Sequence, residues 1–216
     1  MKILLRVGRL ISLTHTFNNM KTFFTSDTHF YHSNIIKYCL RPFADAHEMN
    51  ETLIANWNNV VSQDDVVYHL GDFAFGDALG VDRVMRRLNF KHFHFIKGNH
   101  DKPFLDWYHN FGNEELTRKV TVYPHFLETW INKNQFILCH YAMRVWNQSH
   151  RGAMHLYGHS HGTLPDDPNS KSFDVGVDCH DFMPISLERV LHLMSKKKME
   201  QNFENLPGVK AGIIRE

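Results

Sequence analysis

Two hydrophobic periods alternate along the chain. Short β-branched and aromatic runs of strand length occur at Thr22–Ser26, Val66–Leu70, His92–Ile96, Gln135–Cys139, His155–Tyr157 and Phe173–Val177. Between them, apolar residues recur three and four apart, as on one face of a helix. Met49, Leu53, Trp57 and Val60 form such a face within 46–61. Val81, Val84, Met85 and Leu88 form a second. Leu187, Val190, Leu191 and Met194 form a third, with Ser186 placed to cap its N-terminus. Residues 119–140 read differently. Val120–Val122, Phe126–Ile131 and Phe136–Cys139, the last two separated by Asn132-Lys133-Asn134, predict antiparallel strands. The class is α/β with mixed sheets.

The 216 residues suffice for one sizeable core and are too few for two ordinary domains. That domain is expected over residues 20–198, because Met20 leads directly into the first strand. Residues 1–19 carry apolar character interrupted by Arg6 and Arg9, without a small-residue cleavage site, which argues against a signal peptide. They read as a loosely packed extension, as the product of an upstream start, or as an ordinary terminal strand or helix. Residues 199–216, with Pro207-Gly208, read as a peripheral tail.

Charge narrows the partners. The formal net charge of +1 gives no signal for a polyanion, and Lys196-Lys197-Lys198 reads as a solvated helix end. Cys39, Cys139 and Cys179 are odd in number and far apart, which predicts free thiols in a reducing, cytoplasmic setting. No run approaches the roughly 18 apolar residues of a membrane span. The oligomeric state is not legible.

Candidate chemistry sits in five short motifs, most of them just after a predicted strand: Asp27-Thr28-His29, Gly71-Asp72, Gly98-Asn99-His100-Asp101, His140, and Gly158-His159-Ser160-His161. Carboxyl ends of strands are where α/β proteins bind ligands, so residues distant in sequence are able to converge there. With 17 histidines, an Asp-x-His pair recurs by chance, and Asp178-Cys179-His180 is a second copy. Asp178 and His180 follow the last motif and are read as lying outside the ligand set. Gly-Asn-His-Asp and Gly-His-x-His are far less probable by chance, and the order of the set is its strength. Taken singly, Asp27 reads as a helix cap and Asp72 as the start of a turn.

The ordered set resembles the calcineurin-like metallophosphoesterase superfamily over roughly residues 21–178. The resemblance implies a sandwich of two mixed β-sheets flanked by helices, with two divalent metal ions at the strand ends. Asp27, His29 and His161 would hold one ion, Asn99, His140 and His159 the other, and Asp72 would bridge them. His100 would be the acid–base residue, with Asp101 holding its imidazole. Carboxylate, amide and imidazole donors suit manganese first, and equally iron, zinc, cobalt or nickel. Two such ions against Asp27, Asp72 and a bridging hydroxide leave net positive charge for an anionic phosphoester. Arg41 and Arg144 are the expected substrate contacts, because guanidinium groups bind phosphate bidentately.

The expected activity is hydrolysis of a small phosphodiester or nucleotide. Protein phosphatases of the superfamily carry G-D-x-H-G, G-D-x-V-D-R-G and G-N-H-E, from which Ser26–Phe30, Gly71–Gly76 and Gly-Asn-His-Asp depart. A DNA or RNA nuclease of the same superfamily is the alternative, with no basic surface signal behind it. A catalytically dead scaffold is the third reading, against which every expected position is filled.

Overall fold

The computed structural model describes residues 20–199; the readings for 1–19 and for the rest of the tail lie outside the described residues. The observed class is the expected one, a sandwich of two mixed sheets flanked by helices. The first sheet contains β1 (Thr22–Thr25), β2 (Val66–His69), β3 (His92–Ile96), β4 (Val120–Tyr123) and β9 (Ile185–Ser186), in the order β4-β3-β2-β1-β9. Its first four strands run parallel, and β9 is antiparallel to β1. The second sheet contains β5 (Phe126–Ile131), β6 (Asn134–Cys139), β7 (Met154–Tyr157) and β8 (Ser172–Asp174), in chain order. There β5 pairs antiparallel with β6, while β6, β7 and β8 are parallel.

Alternation along each strand splits the core into two layers. Phe23, Val67, Phe93 and Phe95 face the helices, and Phe24, Val66, Tyr68 and Ile96 face the second sheet, where Phe136, Leu138, Leu156 and Phe173 meet them. The outer layer is closed by α2 (Ala46–Val60) and α3 (Ala78–Met85). Helix α2 begins where Asp45 accepts the Glu48 N–H at 2.9 Å, and it buries Met49, Leu53, Ile54 and Trp57. Asp77 caps α3 by accepting the Gly80 N–H at 2.8 Å. The third expected helix, α6 (Leu187–Ser195), is capped by Ser186 as its sequence predicts, and Leu187, Val190 and Met194 join the inter-sheet core.

Three short helices were not legible: α1 (Ser33–Tyr38), α4 (Lys102–Asp106) with the π-helical turn Trp107–Phe111 behind it, and α5 (Glu114–Thr117). Each is too short to show a repeating apolar face. Two strand readings are corrected. Val120–Val122 does not join an antiparallel set. It lies parallel to β3 in the first sheet, and the chain crosses to the second sheet at Pro124-His125. The hairpin is β5–β6 alone, turned by Asn132 and Lys133 at φ 46° and 65°, the two positive φ values of a type I′ turn. The run 173–177 stops being a strand after Asp174. That carboxylate accepts the Gly176 N–H at 2.7 Å, and the chain enters a 3₁₀ turn at Val177–Cys179. Among the described residues, no helix is long and apolar enough to cross a membrane.

Candidate metal centre

The parallel strands of both sheets deliver their carboxyl ends to one rim. Asp27 and His29 follow β1, Asp72 follows β2, Asn99 and His100 follow β3, His140 follows β6, and His159 and His161 follow β7. Backbone hydrogen bonds lock these ends together: Asp27 N–H to Gly71 O at 3.0 Å, His29 N–H to Asp72 O at 3.0 Å, and Gly158 N–H to His140 O at 3.0 Å. Gly158 has to be glycine, because a Cβ there would overlap Asp27 Oδ2 and the Ser26 side chain.

The chain is bent unusually at this rim. Asp27, His29, Asp72, His159 and His161 adopt φ of 56°, 50°, 57°, 66° and 48°. Left-handed non-glycine residues cost on the order of 1 kcal/mol each and gather where a site requires them.

Two donor groups result. The ligand atoms of Asp27, His29 and His161 lie within 4.8 Å of one another, and so do those of Asp72, His140 and His159. Asp72 joins them: its Oδ2 is 3.6 Å from His29 Nε2 and 3.5 Å from His140 Nε2. Its Oδ1 accepts the His100 N–H at 2.9 Å, which fixes the carboxylate. Asn99 Oδ1 is 3.1 Å from His140 Nε2. All seven expected ligand residues are thus brought together.

The orientation of each ring follows from its second nitrogen. His140 Nδ1 donates to Leu70 O at 2.7 Å, and His161 Nδ1 donates to Asp178 Oδ2 at 2.7 Å. Each thereby turns Nε2 toward the donor groups, the usual arrangement around a metal-binding histidine. Asp27 Oδ2 accepts from Ser26 Oγ at 2.6 Å and from the His159 N–H at 2.9 Å. Its Oδ1 and His29 Nε2 are buried with no hydrogen-bond partner among the described residues. Two such atoms facing one gap at 3.9 Å are costly unless something fills it. Carboxylate, imidazole and amide donors fit a divalent cation there.

Burial and mutual contact set the protonation of these groups. Burial pushes the Asp27 carboxyl up to about 6 and the His29 imidazole down to about 2. Burial also opposes the charged forms of Asp72 and His140, but their mutual contact wins. Asp72 is held below the usual carboxylate range and His140 is raised to about 9. A cation bound to His140 Nε2 would take the place of that proton.

His100 is exposed beside the cluster, its ring 4.9 Å from Phe75 and 6.2 Å from His29. The expected contact from Asp101 is replaced by another. Asp101 is fully buried and accepts backbone N–H groups from Asp72, Phe73 and Gly98 at 2.8, 2.8 and 2.6 Å. It ties two ligand loops together and does not hold the imidazole. Arg41 is likewise corrected. Its side chain is buried and binds Asp178 through Nε and Nη2, both at 2.8 Å, so it has no face for substrate. Arg144 is exposed on the loop after β6, with no hydrogen bond or ion pair among the described residues.

Sequence reasoning missed Asp174 and Asp178. Asp174 accepts from Ser160 Oγ at 2.6 Å and from the Gly162 N–H at 3.0 Å, and so shapes the Gly-His-x-His loop. Asp178 belongs to the second Asp-x-His, so its signal was present but lay outside the ordered set.

The chain is similar to several known proteins. An uncharacterized protein of Methanocaldococcus jannaschii is 35% identical over 193 residues, covering 86% of this chain and 98% of its own. The Gene 66 protein of Mycobacterium phage L5 is 36% identical over 91 residues, covering 38% of this chain and 40% of its own. In fold, the chain is similar to a protein of unknown function from Aquifex aeolicus. That crystal structure has a TM-score of 0.59 and 22% identity, with 81% of this chain and all of that one covered. The model of the calcineurin-like phosphoesterase superfamily domain matches residues 20–170, which hold the full ordered motif set. The chain therefore belongs to the calcineurin-like phosphoesterase superfamily and, with it, to the metal-dependent phosphoester hydrolases.

Proposed function

We propose that this protein hydrolyses a small phosphodiester or nucleotide at a centre of two divalent metal ions, manganese first among the candidates. The observation that carries the reading is the shared carboxylate. Asp72 Oδ2 stands between two donor groups, one of which contains the orphaned Asp27 Oδ1 and His29 Nε2. Bound cations would supply Lewis acidity toward a phosphoryl oxygen and activation of water.

The chain's own residues do the rest. The His100 N–H orients Asp72, and in this reading the His100 ring, exposed at the rim, gives a proton to the departing oxygen. Next to it, His32 stacks on Phe75 at 3.6 Å between ring centres, and Tyr38 stands exposed edge-on to His32. An aromatic wall beside the reacting phosphate supports a leaving group that carries a ring, as in a nucleotide. With Arg41 committed to Asp178, the exposed Arg144 is the remaining arginine of the two expected substrate contacts. A small substrate accords with a net charge of +1. Free cysteines accord with a cytoplasmic setting.

The test is turnover of the manganese-loaded protein on monoesters, cyclic nucleotides, dinucleotides, short oligonucleotides and phosphopeptides. Dinucleotides or cyclic nucleotides should be the best substrates. Faster turnover of phosphopeptides or of long nucleic acid would overturn the substrate reading. No turnover of any ester with metal bound would overturn hydrolysis itself.

A further inference from the structure

We infer that Asp178, clamped by Arg41, is a positioning residue for His161, and that this pair governs the affinity of the Asp27–His29–His161 group for its metal. The inference rests on the metal-dependent reading above and adds residues that the ligand motifs do not contain.

The three members of that donor group come from different sheets. Asp27 and His29 follow β1 of the first sheet, while His161 sits on the loop after β7 of the second. His161 is only partly buried and adopts a left-handed backbone before Gly162, so its own strand does little to fix the ring. Asp178 supplies the missing constraint by accepting from His161 Nδ1 at 2.7 Å. That donation leaves Nε2 with its lone pair aimed toward Asp27 Oδ1, 3.9 Å away.

Arg41 then ties Asp178 to the other sheet. Its Nη2 donates to Asp27 O at 2.7 Å and its Nη1 to Thr28 O at 3.0 Å, while Nε and Nη2 hold the two oxygens of Asp178. One guanidinium thus grips the backbone of the Asp27–His29 loop and the carboxylate that aims His161. A buried pair of this kind is weak evidence of net stability, because desolvation offsets most of the attraction. Position is the better account of it.

A rival account is a separate cation site, since Cys39, His161 and Asp178 also lie within 4.8 Å of one another. The geometry speaks against it. Both Asp178 oxygens already face the Arg41 cation at 2.8 Å, and a second positive charge there would be repelled.

The experiment is calorimetric titration of the metal-free protein with Mn²⁺, for wild type, Asp178→Asn, His161→Ala and the double variant. Asp178→Asn keeps the size of the side chain but removes its charge and sets an amide against Arg41. Loss of an outer-shell partner of a ligand weakens metal binding about 10–100-fold. That loss should fall on one equivalent only, because no hydrogen bond joins Asp178 to Asp72, Asn99, His140 or His159. In the His161→Ala background, Asp178→Asn should add little. Equal weakening of both equivalents, or an undiminished effect without His161, would show a merely structural role and overturn the inference. Unchanged Mn²⁺ binding in Asp178→Asn, with one equivalent weakened in His161→Ala, would also overturn it and leave the metal reading intact. Full binding in His161→Ala would overturn both. Should Asp178→Asn not fold, Arg41→Lys keeps the charge and loses the two-pronged grip, and the same selective weakening is expected.

Discussion

Acid should destabilise the metal-free protein, and His155 allows the size of the effect to be worked out. The ring is fully buried under the second sheet. Its Nδ1 donates to Ile137 O at 2.9 Å, and its Nε2 accepts the Met143 N–H at 3.0 Å. Both nitrogens are used by the neutral form, and burial pushes the group down to about 4. In the unfolded chain it titrates near 6.5, so the unfolded state takes up a proton that the fold refuses. Its contribution is therefore complete above about pH 6.5 and is lost as pH falls toward 4. At about 1.4 kcal/mol per pH unit, the window is worth about 3 kcal/mol. His69 and His29, pushed down by burial to about 3 and about 2, act in the same direction. Asp27 opposes them. Raised to about 6, it protonates first in the fold and so gains stability on acidification. These three histidines against Asp27 leave about two protons, or about 2.7 kcal/mol per unit, between pH 6 and 4. Burial also lowers His32, His94, His159 and His180, which steepens the slope, and raises Asp101, which offsets part of it. Over those two units the loss is about 5 kcal/mol, which unfolds a domain at the low end of the usual range of about 5–15 kcal/mol near pH 4 and weakens a more stable one by that amount. Urea unfolding of chelator-stripped protein at half-unit steps measures the slope. His155→Gln should flatten it by about one proton. An unchanged slope in that variant, or stability that rises from pH 6 to 4, would refute the reasoning.

Other expectations concern the centre itself. Asp72→Asn should weaken both metal equivalents and His29→Ala mainly one, as elemental analysis after gel filtration would read. Gly158→Ala should cost about 1–3 kcal/mol by overpacking against Asp27 and Ser26, with metal affinity falling alongside the melting temperature. His100→Ala should keep both metals and lose about 10²–10⁴-fold on alkyl phosphoesters, with a smaller loss on nitrophenyl esters, whose leaving group needs no proton; equal losses on the two would remove the general-acid role.

What the sequence made legible was periodic or ordered. Strands β1, β2 and β3, the apolar faces of α2, α3 and α6, and the cap at Ser186 all follow from residues within one or two turns of each other. The ligand set was legible because its five motifs come in one order, each behind a strand. Arg41 and Asp178 had no such signature. They are 137 residues apart in sequence, and the bridge between Ser26 and Gly176, just beyond β1 and β8, sets the loops that follow those strands side by side. An arginine near a phosphate site reads as a substrate contact until its partner is known.

Asp101 carries the same lesson further, because its neighbour in sequence suggested the wrong partner. Side by side in Gly-Asn-His-Asp, His100 and Asp101 invite pairing. The loop instead sends the imidazole outward and the carboxylate inward, to three backbone N–H groups that no sequence pattern encodes. The consequence is testable. If Asp101 merely oriented His100, Asp101→Asn would lower activity and leave stability alone. With three donors to satisfy, the variant has one oxygen and one NH₂ in place of two oxygens. Whichever way the amide turns, at least one buried N–H faces another donor. An unsatisfied buried group costs about 1–3 kcal/mol. Asp101→Asn should therefore lower the free energy of urea unfolding by that amount even in metal-free protein. It should also weaken metal binding through the displaced Asp72 loop. A variant with wild-type stability and reduced turnover would restore the imidazole-holding role and set aside the backbone account.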